Sequence, residues 1–112
     1  MQSRTVRKLA LELPKAEERE TWGTPTFRVR NKIFAMFAEG GTEVWVTSTH
    51  DEQRALAEMD SDTHFRPPYV GPSGWVGVRF RTADRDELGE LLAEAWRMTA
   101  PKRLVTAFDE GG

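Results

Sequence analysis

Trp22-Gly23-Thr24-Pro25-Thr26-Phe27-Arg28-Val29-Arg30-Asn31-Lys32-Ile33-Phe34-Ala35 is the stretch whose reading decides the fold. Gly23 and Pro25 set a rigid turn directly before a strand whose alternate residues, Phe27 and Val29, are apolar. Arg28 and Arg30 occupy the intervening positions, so one face of this strand is expected to be buried and the other charged. Asn31 tolerates the positive φ of a tight hairpin, which makes Thr26–Arg30 and Lys32–Ala38 a pair of antiparallel strands. Trp22 and Phe34 are expected to be largely buried, with Pro25 fixing the start of the hairpin.

The pattern extends in both directions. Downstream, Gly40-Gly41 makes the next turn and Glu43–Thr47 a third strand with Val44 and Val46 on one face. Upstream, Val6, Leu9, Ala10 and Leu13 recur at helical spacing, Pro14 stops that helix, and Lys15 to Glu20 reads as a charged connection. Thr49-x-x-Glu52 is a capping box for a short second helix with Ala55, Leu56 and Met59 on its inner side. Asp60 to Asp62 ends that helix, Thr63–Arg66 forms a further short strand, and a Gly/Pro loop over Val70–Gly74 leads into Trp75–Arg81. There Val76, Val78 and Phe80 alternate with Gly77, Arg79 and Arg81. Asp84-x-x-Glu87 caps a third helix with the stripe Leu88, Leu91, Leu92 and Ala95, and Pro101 opens a final helix carrying Leu104, Val105 and Phe108. Gly111-Gly112 reads as a frayed end. The expected architecture is α+β, a single antiparallel sheet with helices packed on one face. Phe27, Val29, Val44, Val46, Val76 and Val78 should line the covered side.

Composition narrows the chemistry. The chain has 112 residues, read as one domain over 1–112, and no cysteine, which excludes disulfides, thiolate metal sites and thiol nucleophiles. No apolar run approaches a membrane span and Met1-Gln2-Ser3-Arg4 lacks a signal-peptide core, so a cytoplasmic protein with no membrane partner is expected. Arginine outnumbers lysine, as codon bias in a GC-rich genome would produce. The formal net charge of −2 does not by itself favour a phosphate backbone as partner, since such binding needs clustered Lys and Arg. Local patches decide that question.

The block W-G-x-P-x-F-[RK]-V-x-x-K-[IV]-F-A, met here from Trp22 to Ala35, resembles that of the YjbR/MmcQ-like family of small bacterial proteins. The resemblance continues through the helix at Asp51–Met59, Pro67-Pro68-Tyr69, the loop Gly71–Gly74 and the strand Trp75-Val76-Gly77-Val78, and covers Leu9 to about Val105. Two positions depart from the family pattern. Val46-Thr47-Ser48 stands where many relatives carry a lysine, and Ala95-Trp96 replaces a Ser-Tyr pair. The resemblance implies a frataxin-like (CyaY-like) fold in a double-wing arrangement and DNA as a partner.

Catalytic constellations are hard to assemble from this inventory, and the chain is read as a non-enzyme without cofactor or metal. His50 and His64 lack partners at metal-ligand spacing and read as a surface histidine beside a helix cap and a loop histidine. Ser48 and Ser73 lack a nucleophile elbow, and Gly71-x-x-Gly74 is too short for a phosphate loop. Three binding readings follow. The first is DNA binding through a basic strand face of Arg28, Arg30, Lys32, Arg66, Arg79 and Arg81, with Trp22, Trp45, Tyr69 and Trp75 nearby as stacking aromatics. The second is a protein-interaction or small-ligand module using the exposed sheet face or the Pro67–Gly74 loop. The third is a frataxin-like cation binder using Glu12, Glu17, Glu18 and Glu20.

Overall fold

Two hairpin turns with positive φ at both central residues build the first half of the sheet. In the computed structural model, which describes residues 1–111, Trp22 and Gly23 have φ of 54° and 78°, and Arg30 and Asn31 have φ of 52° and 66°. That is the backbone signature of a two-residue type I′ turn, whose twist matches the right-handed twist of the flanking strands. The turns join β1 (Glu17–Thr21) to β2 (Thr24–Val29) and β2 to β3 (Lys32–Phe37). A wider turn through Gly40 and Gly41, with φ of 95° and 69°, leads to β4 (Glu43–Val46). The short β5 (His64–Phe65) and β6 (Val76–Arg79) complete six antiparallel strands in the order β1-β2-β3-β4-β6-β5.

The helices α1 (Ser3–Leu11) and α3 (Arg85–Thr99) bury one face of this sheet, α4 (Lys102–Gly111) packs against α3, and α2 (His50–Met59) stands at the β5 end. Phe27, Ala35, Val46 and Val76 are in register across four strands, with Phe37, Val44 and Val78 in the neighbouring row. All seven are at most 4% exposed and share one core with Val6 and Ala10 of α1 and Leu88, Leu92 and Trp96 of α3. Val29 joins the same core, so the six residues assigned to the covered face all lie there.

A β-bulge explains why the block ends in two consecutive core residues. Phe27 pairs with Ala35 and Arg28 with Ile33, which leaves Phe34 unpaired between them. The extra residue interrupts strict alternation, and Phe34 and Ala35 are both fully buried while Arg28 keeps its place on the open face. The N-cap half of each expected capping box forms: the Thr49 hydroxyl accepts from the Glu52 N–H at 3.1 Å, and the Asp84 carboxylate from the Glu87 N–H at 3.0 Å.

Five expectations are corrected. Residues 17–20, assigned with 15 and 16 to a charged connection, belong to β1, an edge strand whose charges deter pairing with another chain. Trp22 is 98% exposed because it sits at the tip of the β1–β2 turn, where its side chain projects past the ends of both strands. Pro25 lies within β2 opposite Glu20, where its missing N–H costs no ladder bond on the β3 side, since pairing with β3 begins only at Thr26. The inner face of α2 is formed by Gln53 and Leu56, whereas Ala55 and Met59 face solvent. The Gln53 amide donates to the Gly71 carbonyl at 2.9 Å and the Trp75 carbonyl at 2.6 Å, stitching the Gly/Pro loop to α2. His64 is 3% exposed in β5, opposite Val78, and is no loop histidine.

At the C-terminus, α4 buries no residue completely. Phe108 packs edge-on against Trp96 with ring centroids 5.0 Å apart, and Arg97 hydrogen-bonds Asp109 at 3.0 Å. That bond chiefly raises the Arg97 pKa above its ordinary value, with burial opposing it. Gly111 is the last residue of α4; Gly112, part of the expected frayed end, lies outside the described residues.

Candidate nucleic-acid interface

Antiparallel register decides whether the basic residues form one patch. Thr26, Met36, Trp45 and Gly77 lie in one row on the open face of the sheet. Arg28 is displaced from that row toward the β2–β3 turn, but Arg79 pairs with Glu43 and is displaced toward the β3–β4 turn at the opposite end. Three inter-strand spacings of ~4.8 Å and four residues of ~3.3 Å separate the two by roughly 20 Å along the sheet diagonal. The single stripe expected from alternation is therefore two clusters. Arg66, just beyond β5, sits on the far edge and joins neither.

The cluster at the β2–β3 turn is the denser one. Arg28 is half-buried and donates to Thr21 Oγ1 at 2.8 Å, Thr26 Oγ1 at 3.2 Å and Asn31 Oδ1 at 3.3 Å. Arg19 reaches the same Asn31 oxygen at 3.0 Å from β1, so one amide carbonyl holds two guanidinium groups side by side. Arg30 is exposed in the turn, and Lys32, opposite Val29, is exposed on the covered-face side; neither forms an ion pair among the described residues. Lys15 adds a fifth cation, lining a cleft of about 510 Å³ with Arg19, Arg30 and Asn31. The one carboxylate in that cleft, Glu17, lies 3.5 Å from Arg19.

Lys15 and Arg19 were missed because residues 15–20 read as a connection rather than a strand. The signal was present in Glu17, Arg19 and Thr21, which alternate onto the open face opposite Arg28, Thr26 and Thr24. Alternation also undoes the acidic patch. Glu17 takes the open face, whereas Glu18 turns to the covered side and pairs with Arg7 at 2.7 Å. Among the described residues no three carboxylates or histidines converge in a metal-binding group.

The second cluster is held differently. The Arg79 guanidinium lies 4.3 Å from the centroid of the Phe65 ring and donates to the carbonyls of Ser61 at 3.2 Å and Asp62 at 3.3 Å. Arg81 follows β6 and is exposed. Of the aromatics expected beside the arginines, Trp45 is half-buried in the central row with its indole N–H on Glu43 at 3.2 Å, and Trp75 is half-buried. Tyr69 is 91% exposed in the loop after β5. His50, on the exposed start of α2, contacts the Pro72 carbonyl at 2.7 Å. No helix among the described residues is long and apolar enough to cross a membrane.

Comparison with known proteins adds a family and a fold. The YjbR family model matches residues 11–98. Uncharacterised proteins of Mycobacterium tuberculosis and Mycobacterium bovis are 39% identical over 54 residues, which is 48% of this chain and 42% of each relative. The match therefore spans less than half the length of those relatives. A crystal structure of a Deinococcus radiodurans protein with a DUF419 domain superposes with a TM-score of 0.77 at 18% identity, covering 87% of this chain and 77% of the other. That likeness concerns the fold alone.

Proposed function

The chain belongs to the YjbR family, and from that premise we propose that it is a non-catalytic DNA-binding module whose contact surface is the basic end of the sheet around the β2–β3 turn. One observation carries this reading: Lys15, Arg19, Arg28 and Arg30 gather at one end of the sheet around Asn31, beside a single cleft carboxylate, with Lys32 exposed on the other side of the same turn. Clustered cations release the counterions condensed on a phosphate backbone, and a projecting hairpin places them where a groove edge can receive them. The pairing of Arg19 and Arg28 on one oxygen fixes two planar donors in advance of binding, which lowers the ordering cost of contact.

Fluorescence anisotropy with a labelled duplex over a series of salt concentrations tests the proposal. Binding should weaken steeply with salt and without regard to sequence. The exposed pair Arg30→Ala with Lys32→Ala should lower the magnitude of the log–log salt slope by about two units for two lost contacts, ~0.9 each. Circular dichroism confirms that the variant is folded. A wild-type chain with no duplex affinity at low salt, or a folded variant with an unchanged slope, would overturn the reading.

A different observation favours a second reading, capture of a protein partner. Trp22, Tyr69 and Met59 are 98%, 91% and 79% exposed, and exposed aromatics are the usual anchors of such contacts. Loss of the DNA reading with retained folding would shift the assignment there.

A further inference from the structure

A cleft of about 820 Å³ opens at the end of the sheet away from the β2–β3 turn, between the start of α1 and the β3–β4 turn. Arg4, Arg79 and Arg81 line it, with Glu43 as the one carboxylate and Phe80 and Gly41 among the apolar surface. We propose that this cleft binds a small phosphorylated molecule, independently of any nucleic acid held at the basic hairpin.

The three arginines are prepared to different degrees. Arg79 is fixed by the Phe65 ring and by the Ser61 and Asp62 carbonyls, both taken by Nη1, and its Nε and Nη2 make no hydrogen bond among the described residues. Arg81 is exposed and forms no ion pair among the described residues, and Arg4 makes only a 3.3 Å contact with Gln2. Arg79 therefore walls the cleft while its guanidinium is held on residues outside it, and Arg4 and Arg81 are the side chains that would meet the ligand's oxygens. The planar fork of arginine matches the oxygen geometry of phosphate. Glu43 does not cancel them in place: its carboxylate accepts from the Trp45 indole at 3.2 Å, and no ion pair joins it to Arg79.

The size of the cleft suits a small ligand. The volume lies within the ~300–1,000 Å³ range of small-molecule sites. The cationic residues line a recess between two chain segments, the start of α1 and the β3–β4 turn.

Inorganic pyrophosphate is the probe, titrated into the full chain at constant ionic strength by calorimetry and thermal melting. A saturable rise in Tm is expected. The exposed pair Arg4→Ala with Arg81→Ala should weaken pyrophosphate affinity by about tenfold or more, the loss expected for charge-assisted hydrogen bonds. Arg30→Ala with Lys32→Ala should leave it unchanged. Absence of a saturable response overturns the proposal, as does equal affinity in the Arg4/Arg81 variant. Single-stranded DNA that displaces pyrophosphate from the wild type but fails to bind the Arg4/Arg81 variant would give the cleft to nucleic acid. That result would also overturn it. Loss of duplex binding in the Arg30/Lys32 variant leaves this test untouched, so the two sites fail separately.

Discussion

The two faces of the sheet are held by different physics. On the covered face, the rows Phe27-Ala35-Val46-Val76 and Phe37-Val44-Val78 are buried under α1 and α3, and apolar area alone accounts for their order. On the open face, each residue depends on a particular neighbour. Thr26 is 3% exposed and donates to the Arg19 carbonyl at 2.7 Å, the Trp45 indole leans on Glu43, and the Phe65 ring occupies the space above Gly77 with Arg79 stacked on it. The covered face is generic and tolerant of detail. The open face is specific, and Arg19, Arg28 and Arg79 are each held by named partners.

The sharpest way to break this contrast is at Phe34. Phe34→Ala removes a fully buried ring from the bulge and leaves a cavity under α3, so unfolding should cost about 3–5 kcal/mol less than in the wild type. Urea denaturation measures it. A loss below about 1 kcal/mol would mean that the bulge relaxes into regular pairing and that the covered face does not depend on the extra residue.

Gly77→Ala probes the open face at intermediate strength. A Cβ placed there would clash with the Phe65 ring. The ring must leave, Arg79 loses its platform, and two-residue β5 loses the side chain that seats it on β6. The expected destabilisation is about 1–3 kcal/mol, typical of overpacking. Amide exchange would locate the damage at residues 63–66. Neutral stability with unchanged exchange would show that the Phe65 ring swings aside freely, and the open face would then be no more specific than the covered one.

The contrast also explains what could be read from the chain. Alternating valines and aromatics in Phe27–Val29, Val44–Val46 and Val76–Val78 declare the covered face because burial follows a period of two. Capping by Thr49 and Asp84 was legible because it is local in sequence. Whether Arg28 meets Arg79 was not, since that depends on the direction of each strand and on which strands are neighbours. Asn31 gathers Arg19 and Arg28 only after β1 folds back, and Glu17–Thr21 carries no apolar alternation to announce a strand. Gln53 escaped notice for a related reason. Its two acceptors, the carbonyls of Gly71 and Trp75, lie 18 and 22 residues away.

Trp22 gives the smallest expected effect and the opposite sign. Its ring is 98% exposed, and its φ of 54° belongs to the left-handed region that a bulky side chain occupies at a cost. With Gly23 already at the second turn position, Trp22→Asn would create the Asn-Gly pair that type I′ hairpins prefer. Nothing buried is lost, so the variant should be more stable by a few tenths of a kcal/mol, up to about 1. A small rise in Tm would therefore be expected, where Phe34→Ala produces a large fall, although both aromatics belong to the same fourteen-residue block. A fall of several degrees would instead show that the indole packs onto the neighbouring cleft formed by Arg7, Phe37 and Gly40. Trp22 would then belong to the rim of the covered face, where α1 meets β3, rather than standing free at a turn.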